Sequence, residues 1–172
     1  MIVAEPTLPE DTDVKSEYLQ VIALIERLHR QFLEVVKDEL ERLGVQDINN
    51  IQALILYNIG EDELTVGELT ARGYYLGSNV SYNVRKMVEN GYLIQERSTH
   101  DRRSLRVRLP EKGLELYRKL DQMFQRHVED LESGFALGEE LKLANKALNR
   151  LERFWISAIN FGLRLRPPEA AD

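Results

Sequence analysis

Apolar residues recur every three or four positions between Val14 and Leu43: Tyr18, Val21, Ile22, Ile25, Leu28, Phe32, Val35, Val36, Leu40 and Leu43. That spacing is the period of one helix face, and Gly44 is the expected stop. Such a helix is far longer than the globular mean. A second helix is expected to open at Asp47 as its N-cap. Its buried face would hold Ile51, Leu54, Ile55 and Ile59, with Gly60 at its end. "GEDEL" then reads as a turn. Thr65 with Glu68 three residues on is a capping-box pattern, opening a short helix to Arg72 and Gly73. After the turn "GYYLGS", Ser78 or Asn79 caps a helix that reaches Asn90 and stops at Gly91. Val80, Val84, Met87 and Val88 share one side of it, while Ser81, Tyr82, Arg85, Lys86 and Glu89 lie on the others.

The period then changes to two. Tyr92 to Arg97 is rich in strand formers, and Leu105, Val107 and Leu109 alternate with Ser104, Arg106 and Arg108. With a polar turn between them, these two strands form a hairpin with one apolar and one cationic face. Pro110 starts a further helix, a position that proline tolerates. It carries Leu114, Tyr117, Leu120, Phe124, Val128 and Leu131, and Gly134 is its expected end. A last helix is expected from about Leu137 to Phe161, burying Leu141, Leu148, Leu151, Trp155 and Ile159. The chain is thus mainly α with a small β-hairpin. Residues 47–109 follow the order of a winged helix-turn-helix, with long helices at 14–46 and 110–162. Residues 1–13 and 163–172 read as an arm and a tail.

Composition narrows the chemistry. The 172 residues are 43% hydrophobic and 30% charged, enough for a core and a charged surface. The absence of cysteine excludes disulfides, a Cys-based zinc site, a thiolate nucleophile and a thiol redox sensor. His29, His100 and His127 have no ligand spacing, and there is no Ser/His/Asp constellation or phosphate-binding loop. No metal, no cofactor and no enzymatic activity are expected. Neither a membrane-spanning run nor a signal-peptide layout is present, which fits a cytoplasmic location.

Charge is unevenly spread. The net charge is -6, yet residues 65–109 hold eight basic residues against four acidic ones. Five arginines, Arg97, Arg102, Arg103, Arg106 and Arg108, crowd the hairpin. A basic region in an acidic chain suits a polyanion. Small polar and basic side chains on the 78–90 helix (Ser78, Asn79, Ser81, Tyr82, Arg85 and Lys86) suit the major groove of DNA. Arg102, Arg103 and Arg106 on the hairpin suit phosphates or the minor groove. Exposed arginines are elsewhere most often a solvated face; here their coincidence with a hairpin in this order of elements favours the wing. Tyr74 and Tyr75 fit turn packing better than DNA contact. The long terminal helices could close a monomeric bundle, but stripes of this length more often mark an interface.

The pattern resembles the MarR-type transcriptional regulators. Their wing motif, D-x-R followed by an alternating strand and L-T-x-x-G, is matched by Asp101-Arg102-Arg103, "LRVRL" and "PEKG"; "VSYNVRKMVENGYL" resembles their recognition helix. The resemblance implies a homodimer formed through the long helices, a pseudo-palindromic operator on double-stranded DNA, and repression. It also implies a small non-covalent effector bound where the dimer helices meet the winged helix. Ile55, Tyr57 and Ile59 lie near that place, though core packing explains them equally well. In this family the carboxylate at Asp101 would hold a neighbouring arginine in shape. Two positions depart: Pro110 replaces the usual Thr, and Tyr82 follows Ser81 where Arg is frequent. Base readout therefore does not transfer in detail. The rival reading is a dimeric adaptor that uses the winged-helix surface for protein partners. That reading expects a neutral or acidic recognition surface, which Arg85 and Lys86 oppose.

Overall fold

A computed structural model describes residues 13–73, 77–97, 105–135 and 138–161. Helix α1 (Val14–Arg42) begins at Asp13, whose carboxylate accepts the Lys15 N–H at 3.1 Å. Only its C-terminal part is buried, at Val36, Glu39 and Leu40. Leu19, Leu24, Leu28 and Val35 on the same helix are exposed.

Helix α2 (Asn50–Ile59) is capped by Asn49, not by Asp47 as expected. Asn49 Oδ1 accepts the Gln52 N–H at 2.9 Å and Gln52 Oε1 accepts the Asn49 N–H at 3.0 Å, a complete capping box. Asp47 is drawn into long-range bonds instead, described below. Ala53, Ile55, Leu56 and Ile59 are buried, whereas the expected Ile51 and Leu54 are half-buried.

The expected box at Thr65 is present. Thr65 Oγ1 accepts the Glu68 N–H at 3.1 Å and Glu68 Oε2 accepts the Thr65 N–H at 2.7 Å, opening α3 (Val66–Gly73). Helix α4 (Gly77–Glu89) starts before Ser78 and Asn79, so both lie in its first turn and neither caps it. Its last residue is Glu89, and two positions on the chain turns at Gly91, whose φ of 75° suits a residue without Cβ. The Tyr92 and Leu93 amides donate back to Met87 O, at 2.8 and 3.3 Å. That delays the strand expected from Tyr92, and β2 is Ile94–Arg97.

The sheet has three antiparallel strands in the order β1-β3-β2, where β1 is Leu64–Thr65 and β3 is Leu105–Arg108. Strand β1, which the sequence pattern did not reveal, sets Leu64 opposite Val107 and Thr65 opposite Arg106. Val107 and Leu109 are buried, but Leu105, expected on the apolar face, stays 41% exposed. It lies at the outer end of β3, beyond the two-residue reach of β1.

Helix α5 (Glu111–Phe135) starts with Pro110 O accepting the Leu114 N–H at 2.9 Å. It passes through Gly134, the expected stop; one mid-helix glycine costs about 1 kcal/mol and does not by itself end a helix. Helix α6 (Gly138–Phe161) is amphipathic, yet none of its described residues is buried. Leu141, Leu148 and Ile159, expected to be buried, are exposed, and Leu151 and Trp155 are half-buried. The stripe has the spacing of a packed face, yet Leu141, Leu148 and Ile159 stay exposed among the described residues. The chain divides into two compact units, Met1–Met123 and Phe124–Asp172. Among the described residues no helix is long and apolar enough to cross a membrane.

Candidate nucleic-acid interface

Helix α4 is anchored through Val80, Val84 and Met87, all buried on the side towards α2 and α3. Helical geometry then turns Asn79, Ser81, Tyr82 and Arg85 outward, and all four are exposed. Tyr82 is 58% exposed. Lys86 is half-buried and donates to Glu89 at 2.8 Å, an ion pair that holds its pKa above the ordinary lysine value. Ser78 falls in the first turn of α4. Asn83 is turned to a supporting role: its Nδ2 donates to Asn79 O at 2.9 Å and its Oδ1 accepts from Gln52 Nε2 at 3.2 Å. Sequence reasoning missed Gln52 and Asn83, although Asn49 with Gln52 three residues later is itself a capping-box spacing.

Beside α4 runs a cleft of about 540 Å³. Thr65 and Gly67 wall it from the start of α3, Ser81 and Arg85 from α4, and Gln95 and Leu105 from the strands. The outward side of α4, the start of α3 and the β2–β3 hairpin thus border one trough. Backbone N–H groups at a helix start favour anions, but Glu68 already occupies that end. Its bonds to the backbone and hydroxyl of Thr65 hold its carboxyl below the usual range, helped by Arg106 and Arg72.

The cations of this region are largely matched to carboxylates. Arg106 lies 3.5 Å from Glu63, Arg72 is 2.9 Å from Asp62, and Arg108 is 3.1 Å from Glu96. The acidic turn after α2 thus braces the sheet and α3 with two of its three carboxylates. Arg97 is exposed at the end of β2. Asp101, Arg102 and Arg103, expected at the wing tip, lie outside the described residues, as do Tyr74, Tyr75 and His100.

Two polar knots join the core of this unit. Tyr57 donates to Asp121 Oδ1 at 2.9 Å and its ring lies 5.3 Å from that of Tyr117, clamping α2 to α5. At the end of α4, Tyr92 donates to Asp47 Oδ1 at 2.7 Å, and Lys112 donates to Asp47 Oδ2 and to Asn90 O, both at 2.8 Å. Asn90 Nδ2 donates to Asp47 O. Desolvation alone would raise the Asp47 carboxyl, but Lys112 and Tyr92 outweigh it and hold its pKa below the ordinary value.

Helix α4 packed on α2 and α3 beside a three-stranded antiparallel sheet is the architecture of a winged helix-turn-helix protein. A model of the MarR family matches residues 46–104. The exopolysaccharide II synthesis transcriptional activator ExpG of Rhizobium meliloti is 39% identical over 146 residues, covering 85% of this chain and 75% of that protein. The fold is shared with Streptococcus pneumoniae FabT in complex with DNA, at TM-score 0.67 and 20% identity over 81% of this chain and 98% of that one. BldR of Sulfolobus solfataricus gives TM-score 0.67 at 23% identity, over 81% of this chain and 99% of that one. The chain belongs to the MarR family of transcriptional regulators.

Proposed function

We propose that this protein binds double-stranded DNA as a homodimer, with α4 of each protomer in the major groove of one half of a pseudo-palindromic operator. The observation that carries this is the outward row Asn79, Ser81, Tyr82 and Arg85, opposite the buried face of α4. It joins donors, acceptors, an aromatic ring and a guanidinium on the outward side of one helix, groups of the kind that discriminate base edges. An adaptor surface for proteins accounts less well for Arg85 at its centre.

In this reading the wing residues Arg102, Arg103 and Arg106 meet the backbone or minor groove, with Asp101 ordering the tip. Arg106 exchanges Glu63 for phosphate on binding. The dimer forms through the 14–46 and 110–162 helices. Their exposed apolar residues, such as Leu19 and Leu28 on α1 and Leu143 and Ile159 on α6, support this. A small non-covalent ligand tunes the affinity, and the protein acts in the cytoplasm, where the DNA is.

Repression needs only occupancy of a promoter and was the sign expected from the sequence. One relative is named an activator, which supports activation as a second reading. The test is sedimentation equilibrium combined with DNA titration. A dimer at micromolar concentration is expected, with Arg85→Ala costing roughly 1–3 kcal/mol on operator DNA and much less on random DNA. A stable folded monomer, or equal losses on both duplexes, overturns the reading.

A further inference from the structure

We propose that Lys112 is a positioning residue for DNA recognition: its ammonium, shared between the Asp47 carboxylate and the Asn90 carbonyl, locks the end of the recognition helix to the first turn of α5. The inference rests on the reading of α4 as the recognition helix.

An ammonium has three donors. Lys112 uses two, at 2.8 Å each, on Asp47 Oδ2 and Asn90 O. Its Nζ also stands 4.0 Å above the centre of the Tyr92 ring. Asn90 follows the last residue of α4, where helix carbonyls lack partners and the dipole favours a cation. Tyr92 and Asn90 both return to Asp47, so one carboxylate and one ammonium gather three segments: the α1–α2 connection, the end of α4 and the start of α5. The backbone reinforces the junction. A Cβ on Gly113, the residue after Lys112, would lie 2.5 Å from Tyr92 O, so the first turn of α5 is pressed directly against the chain leaving α4.

Such a junction contributes to placement more than to stability. The Lys112 side chain is 47% exposed and that of Asp47 49%, and exposed ion pairs contribute little to stability. Several directed bonds to one helix end nevertheless remove its freedom to tilt, and a fixed reading face loses less on binding.

The test compares wild type with Lys112→Met, which keeps an apolar stem but removes the charge and the donors, and with Lys112→Arg. The first readout is amide exchange in free protein. The Asn90, Gly91, Tyr92 and Leu93 amides should exchange about tenfold faster in Lys112→Met, with those of Ile55 and Leu56 unchanged. The second readout is affinity for a duplex selected by wild type and for a scrambled one. Lys112→Met should lose about tenfold on the selected duplex and less than about twofold on the scrambled one, and Lys112→Arg should recover most of both effects. Unchanged exchange, exchange rising throughout the protein, or equal loss on both duplexes overturns the proposal; equal loss would make Lys112 a plain phosphate contact. If wild type selects no duplex, the reading of α4 fails instead, and the exchange arm alone decides whether Lys112 holds that helix end.

Discussion

Gln52 Nε2 donates to Asn83 Oδ1 at 3.2 Å, tying the first turn of α2 to the middle of α4. The same side chain closes the α2 capping box through its Oε1. Gln52 is buried, so its polar atoms are costly unless satisfied.

Gln52→Leu, similar in volume, is therefore expected to lower stability by about 1 kcal/mol, because it removes the bonds to the Asn49 amide and the Asn83 carbonyl oxygen. Asn83→Ala should cost less, and the double variant should fall short of the sum. Urea denaturation of the four proteins measures this. Strict additivity would mean that the bond couples nothing.

Gly113→Ala should destabilise the protein by about 1–3 kcal/mol, since the added carbon meets Tyr92 O at 2.5 Å and Leu109 Cβ at 3.2 Å. Gly138→Ala is the control, because a Cβ there meets nothing within 4 Å. Denaturation midpoints should separate the two variants clearly. Equal midpoints would contradict the close approach of α5 to the chain after α4.

The elements that were legible in the sequence are those that local chemistry decides. Thr65 and Glu68 cap each other across three residues, so their box was visible in the letters. Val80, Val84 and Met87 share a helix face wherever that helix goes. Asp47 does not cap α2 because its carboxylate is claimed by Tyr92 and Lys112, 45 and 65 residues away, and Asn49 caps in its place. Strand β1 is two residues long and has no period to detect. The Leu141, Leu148 and Ile159 stripe was recognised, but amphipathicity alone does not say which surface covers it. The charge surplus was also legible, whereas the matching of Arg106 to Glu63 depends on how the acidic turn folds back on the sheet.

Alkaline pH should weaken the protein through Tyr57. Desolvation, together with the Asp121 carboxylate that accepts its hydroxyl, pushes the Tyr57 phenol up to about 12. A raised folded pKa means that this stabilisation is intact below the unfolded value near 10 and is lost as pH rises from about 10 to about 12. Tyr92, raised by burial and by Asp47, acts in the same direction. Tyr57→Phe should flatten the decline without abolishing it. Denaturant midpoints against pH, with phenolate absorbance to count titrated rings, test this; an identical slope in the variant would contradict it.

Glu63→Gln should strengthen DNA binding. Arg106 faces Glu63 at 3.5 Å in the free protein, and phosphate has to compete for that guanidinium. Because both groups are exposed, the gain should be modest, on the order of two- to fivefold on any duplex. Titration at several salt concentrations would show it. No gain, in a variant of unchanged stability, would remove Arg106 from the DNA contacts.

The central claim is that the outward face of α4 reads a two-fold symmetric sequence. The most direct measurement is selection of duplexes from a random pool by wild type and by a Tyr82→Ala, Arg85→Ala double variant. Wild type should enrich a pseudo-palindrome whose half-sites lie about one helical turn apart, and the variant should bind the pool without enriching that sequence. Enrichment of the same sequence by both proteins, or of no sequence by wild type, would contradict the account.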